Sequence, residues 1–163
     1  MKTIWFDDGL LSTYTNAFPV MKERGLVGKV ALVTSIVGND FYSIKWDTTT
    51  PCMNLEQLKE LIDAGWEIAS HTVTHPYRFD QLSLEETRWE LEESKQWIIE
   101  NLEITPTKFV VPRHLIKPKQ MKLAKEIYEY VRPLGNPTRG HIIFHWVDGP
   151  NWFRRRLQSG SAW

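Results

Sequence analysis

Short apolar stretches rich in β-forming residues alternate with capped helical stretches along this chain, and that alternation restricts the fold more than any other feature. Residues 2–6 read as a strand and 29–37 as another, with a helix over 13–24 closed by Gly25 between them. Asn54 and Gln57 can form a capping box for the next helix, whose apolar face is Leu55, Leu58, Leu61 and Ile62 and whose end is Gly65. "WEIAS" (66–70) is a buried strand. Ser83 with Glu86 makes a second capping box and opens the longest helix, about 84–102, with Leu84, Leu91, Ile98 and Leu102 as its inward stripe. A strand at 107–111 stops at Pro112, a helix covers about 118–130, a last strand covers 140–145, and 152–157 fits a short final helix. The pattern predicts an α/β fold, a parallel sheet with helices outside. Functional groups in such folds collect at the C-terminal ends of the strands. Asp7, Asp8, His71, Pro112 and His145 all fall there.

The chain's 163 residues suit one domain, 1–163, with about 158–163 as a frayed tail and no repeat or interdomain linker. Hydrophobic residues at 42% and charged residues at 25% are ordinary for a globular protein. Twenty basic and twenty acidic residues cancel, which argues against a nucleic-acid partner. The one basic cluster, Arg154 to Arg156, reads as a solvated helix face. Cys52 is the single cysteine, so no intrachain disulfide forms. Lys2 is followed by four uncharged residues and then two aspartates, unlike a secretion signal, and no window approaches the roughly 20 apolar residues of a membrane span. The expectation is a cytoplasmic protein without a membrane partner, unless a leader was removed.

The chemistry concentrates in "HTVTH". On an extended strand His71 and His75 would stand about 13 Å apart, too far to share an ion whose ligands lie about 2 Å from it. On a helical turn the rise is only about 6 Å and both imidazoles face the same way. The strand must therefore end near His71 and the chain must coil before Pro76 for the two to share an ion. The alternative is two surface histidines in a loop. A carboxylate would complete a three-ligand site with a position open for water, the pattern of catalytic zinc. Asp7 and Asp8 are the candidates, and because adjacent side chains at a strand end diverge, one can bind an ion while the other faces a substrate. Gly9 lets the backbone turn sharply after them.

Together these residues resemble a known family. "FDDG" (6–9), "SHTVTHP" (70–76), "FVVPR" (109–113) and "GHIIFH" (140–145), in this order, are similar to motifs of the polysaccharide deacetylases, the NodB-homology or carbohydrate esterase 4 family. The resemblance runs from about residue 3 to 147 and is most specific in its first two motifs. It implies a metal-dependent hydrolase that removes acetyl groups from N-acetylated sugars or oligosaccharides on a distorted (β/α) barrel. Carried over by motif, Asp8, His71 and His75 would be the metal ligands, for zinc first and cobalt or another divalent ion otherwise. Asp7 would be the general base and His145 the general acid that protonates the leaving amine.

Three departures qualify that resemblance. The third motif usually carries an arginine ahead of its prolines; Val110 holds that slot here, and Arg113, after Pro112, either orients Asp7 from the other side or is a surface arginine. The fourth motif, an Asp and Trp segment, is missing between Tyr130 and Gly140, so His145 lacks its carboxylate partner unless Asp148 substitutes. A full (β/α) barrel takes roughly 250 residues, so this is a shortened version whose open side would form a wide groove or a homo-oligomer interface. Trp46, Tyr77, Trp146 and Trp152 are candidates for stacking on sugar faces or for core filling, whereas Trp5 and Trp66 belong to the core. Two other functions compete: a non-catalytic carbohydrate- or metal-binding module on the same fold, and a deacetylase of a small intracellular amide.

Overall fold

The computed structural model describes residues 3–40, 42–44, 47–132, 141–144 and 147–159. Six strands form one sheet in the order β7-β6-β5-β2-β1-β8: β1 (Thr3–Asp8), β2 (Lys29–Leu32), β5 (Glu67–Ser70), β6 (Lys108–Val110), β7 (Tyr130–Arg132) and β8 (His141–Phe144). The β1/β8, β5/β6 and β6/β7 pairs are parallel. β3 (Tyr42–Ile44) and β4 (Asp47–Thr50) form a separate antiparallel pair that the sequence pattern did not announce. The helices are α1 (Phe18–Glu23), preceded by a π-helical turn at Thr13–Ala17, then α2 (Leu55–Asp63), α3 (Leu84–Leu102), α4 (Pro118–Ile127) and α5 (Pro150–Ser159). This is the expected α/β fold, a shortened (β/α) barrel. No described helix is long and apolar enough to cross a membrane.

By contacts the chain divides into two compact units, each with its own packing. The first comprises residues up to Val30, Ile36–Glu67 and the described residues from His141 onward. Its centre is an aromatic stack on Phe6, whose ring lies 5.3 Å from Trp66, 5.4 Å from Phe144 and 5.8 Å from Phe153. Parallel register sets this up, placing Phe6 opposite Phe144 and Trp5 opposite Ile143. The stack leaves no room at Gly28, where a Cβ would stand 2.6 Å from the Trp66 ring and 2.9 Å from Phe6. The Asn54–Gln57 capping box forms in both directions, at 2.9 and 3.0 Å. Trp5 and Trp66 are buried, as expected.

The second unit comprises Ala31–Ser35 and the described residues from Ile68 to Arg132. Phe79, Leu91, Phe109, Val111, Leu123, Ala124, Tyr128 and Val131 make its core. Two of its buried polar side chains bond to the backbone: the Tyr128 hydroxyl donates to Leu91 O at 2.8 Å, and the Gln120 amide donates to Phe79 O at 2.7 Å. Burial pushes the Tyr128 hydroxyl up to about 12, so it remains a donor at neutral pH. The Ser83–Glu86 capping box forms as expected.

The buried face of α3 and three element boundaries differ from the sequence pattern, each for a physical reason. The face that α3 buries is Thr87, Glu90, Leu91, Ser94, Ile98 and Leu102; Leu84, at the first helical position, is 49% exposed in an open groove beside Leu123. The expected helix over 118–130 ends at Ile127, because Tyr128 turns extended to seat its ring in the core and Tyr130–Arg132 pairs with β6. The expected strand over 29–37 stops at Leu32 and turns through Thr34–Ile36, where Thr34 N and Ser35 N donate to Thr72 O and Val73 O instead of continuing a ladder. The final helix begins at Pro150, whose fixed φ suits a first turn, and runs to Ser159.

Each core predicts its own sensitivity. Gly28→Ala should overpack the aromatic stack and cost about 1–3 kcal/mol, read as a lowered midpoint in thermal denaturation. Leu91→Ala should cost about 2–5 kcal/mol by opening a cavity in the second core, read in urea unfolding.

Candidate metal centre

β1 delivers Asp7 and Asp8 into a buried setting, with 2% and 3% of their surfaces exposed. The backbone turns at once, with Asp8 at φ 73° and Gly9 at φ 91°. Asp is among the few residues that tolerate the left-handed region, and Gly does so at no steric cost. The turn is fastened to the segment before α2: Met53 N donates to Gly9 O at 3.0 Å, Leu11 N donates to Pro51 O at 2.8 Å, and Leu10 bridges Cys52. Burial, and then the negative charge of Asp8, push the Cys52 thiol up to about 11, which keeps it protonated at neutral pH.

His71 follows β5 and is 2% exposed. Its N–H donates to Leu32 O at 2.9 Å, and its ring Nδ1 lies 2.7 Å from the Val110 carbonyl at the end of β6. A carbonyl only accepts, so Nδ1 carries the proton and Nε2 presents its lone pair. The strand then ends and the chain coils, as the shared-ion geometry required. Thr72 sits at φ 74° and His75 at φ 52°. The Thr72 hydroxyl donates to His71 O and accepts from His75 N at 3.0 Å. This coil brings the His71 and His75 rings to 4.9 Å between centroids at an interplanar angle of 69°. His71 is buried and His75 half-buried beside it.

Asp8, His71 and His75 each offer one ligand atom, and these atoms all lie within 4.8 Å of one another. Donors held about 2 Å from one ion stand roughly 3–4 Å apart, so the three can share a divalent cation after small movements. One carboxylate and two imidazoles form a mixed oxygen and nitrogen set that suits zinc and neighbouring transition metals and leaves coordination open.

The other predicted residues fall in different places. The Arg113 guanidinium lies over the Tyr77 ring, 4.1 Å from its centroid, and Arg113 and His114 both have left-handed backbones, φ 49° and 67°. His145, Trp46 and Trp146 lie outside the described residues. Asp148 is exposed, and Trp152 is half-buried in α5 with its ring 6.0 Å from Phe144. Sequence reasoning passed over two buried charges. Arg132 is 1% exposed on β7, in register with Val110, and the visible signal was a lone arginine in a short apolar run. Glu90 is 4% exposed on α3, and its signal was an acidic residue next to Leu91 on the face the helix buries.

The chain is similar to known proteins in both sequence and fold. Residues 2–130 match the family model described as polysaccharide deacetylase, a span that includes Asp7, Asp8, His71, His75 and Arg113. YxkH of Bacillus subtilis (strain 168), provisionally named a polysaccharide deacetylase, is 28% identical over 93 residues, which are 57% of this chain and 29% of that protein. This chain therefore spans less than a third of that relative. The structure of the Streptococcus pyogenes deacetylase PplD in complex with acetate superposes with a TM-score of 0.69 at 20% identity, over 96% of this chain and 68% of that one. A mutant of a CE4 family pseudoenzyme with restored enzymatic activity superposes with a TM-score of 0.70 at 16% identity, over 99% of this chain and 64% of that one. With most of its length matched by the family model, this chain belongs to the polysaccharide deacetylase family.

Proposed function

We propose that this chain is a metal-dependent hydrolase that removes acetyl groups from an N-acetylated carbohydrate, with zinc as the metal. The observation that carries the proposal is the Asp8, His71 and His75 donor set, supported by the family match. Bound there, the cation would polarise the acetyl carbonyl and acidify a water. Asp8, His71 and His75 hold the ion, and the Nδ1 hydrogen bond to Val110 keeps the His71 ring turned with Nε2 outward. Asp7, adjacent to Asp8 and equally buried, is the general base that takes a proton from the attacking water. His145 is assigned, from the sequence motif, to protonate the leaving amine, since an amine leaves poorly as its anion. Arg113 is assigned to orient the base from the end of β6, with its guanidinium held by Tyr77.

A second reading keeps the fold and the ion but not the turnover. Val110 in place of the third-motif arginine supports it. A third keeps the chemistry on a small intracellular amide.

Two measurements separate these. The purified protein with zinc should release acetate from an N-acetylglucosamine oligomer, and a chelator should abolish release; stoichiometric zinc without release from any acetylated substrate would establish the module instead. Asp8→Ala should lose zinc, whereas Asp7→Asn should retain it and lose about 10²–10⁴-fold in rate. Full activity in Asp7→Asn would remove Asp7 from the mechanism.

A further inference from the structure

Glu90 occupies a position where a helix facing a core normally carries an apolar residue. It is 4% exposed and follows Thr87 on the buried face of α3. A carboxylate taken out of water is unfavourable unless its lone pairs are met by donors. Here they are met by one loop. Oε2 accepts the Val73 N–H at 2.7 Å and the Thr74 N–H at 3.0 Å, and Oε1 accepts the Thr74 hydroxyl. Those residues lie between His71 and His75.

That loop is costly to hold. Thr72 and His75 are both non-glycine residues with left-handed backbones, which persist only where the surroundings over-determine them. Thr34 N and Ser35 N fasten the carbonyls of Thr72 and Val73 from one side. The amides of Val73 and Thr74 face the other way, and hydrogen bonds from amides to a carboxylate are about twice as strong as neutral ones. Both sides of the loop are thus held, and the histidine spacing follows from the coil so produced.

We propose that Glu90 is a positioning residue for the metal centre: its carboxylate fastens the Val73–Thr74 backbone, and the affinity of His71 and His75 for the cation depends on that anchor. This rests on the metal reading of the site given above. It explains why the second motif carries threonine at 74, whose hydroxyl completes the clamp, and why a glutamate sits inside a helix face otherwise made of Thr87, Leu91, Ser94 and Ile98.

The test is zinc titration of the folded wild type and Glu90→Met, with amide hydrogen exchange followed at Val73 and Thr74. Methionine fills the same volume without accepting a hydrogen bond. The Met variant should keep its circular dichroism spectrum, exchange both amides faster, and bind zinc about 10-fold or more weakly, the range typical for residues that support metal ligands from behind. A merely structural glutamate would change the melting temperature and leave the dissociation constant of the folded protein where it was. Should the Met variant not fold, Glu90→Asp decides, because it retracts the carboxylate by one methylene: weaker zinc binding supports the anchor, and an unchanged dissociation constant overturns it. A wild type that binds no zinc overturns the metal reading and this inference together. A wild type that binds zinc and a folded Met variant that binds it equally well overturn the inference alone.

Discussion

The hydrogen bond between the His71 ring and the Val110 carbonyl ties the chemistry of this protein to its sheet. Parallel pairing sets Ser70 opposite Phe109, so the residue after each falls level at the strand ends, and the imidazole Nδ1 meets a carbonyl 2.7 Å away. That single contact selects a tautomer and a ring orientation. It needs no side-chain partner on β6, because the acceptor is the main-chain carbonyl of Val110. It does need β5 and β6 in this register, since a one-residue slip would turn every side chain to the opposite face.

Around that contact the loop 71–75 trades local strain for placement. Two left-handed residues, a threonine hydroxyl bonded within the loop and a buried glutamate from α3 coil the chain so that the imidazoles sit 4.9 Å apart. β1 ends in the same manner, with Asp8 and Gly9 both left-handed and the following residues fastened to 51–53. Among the described residues, left-handed non-glycine backbones gather at the ends of β1, β5 and β6 (Asp8, Thr72, His75, Arg113 and His114), with Glu103 after α3 as the other instance, and strand-end strain of this kind is where a functional site is expected. The adjacent carboxylates of Asp7 and Asp8, both buried, repel one another, and a cation held by one of them would relieve that repulsion.

Much of this was legible in the residues. Capping boxes at Asn54 and Ser83 are local chemistry, readable from four residues each, and both form. The approach of His71 and His75 was legible because histidines four apart admit a shared ion only if the strand ends, and Pro76 shortly afterwards prevents it from continuing. Leu84 was misplaced because a periodic pattern does not say where the neighbouring helix stops covering a face. β7 was missed because three residues carry too little periodicity, and its pairing with β6 decides its conformation. Glu90 and Arg132 were missed because burial of a charge depends on partners distant in sequence.

The sequence by itself determined the alternation of the longer strands and helices, the caps that begin α2 and α3, and the residue types gathered at the strand ends. Those follow from short-range periodicity and local hydrogen bonding, which act within a few residues. Only the tertiary structure decided which strands are neighbours, where the strand over 29–37 breaks to meet the histidine loop, and that a glutamate from α3 holds that loop. Each of those depends on hydrogen bonds between segments that are 16 or more residues apart, and no local pattern specifies their partner.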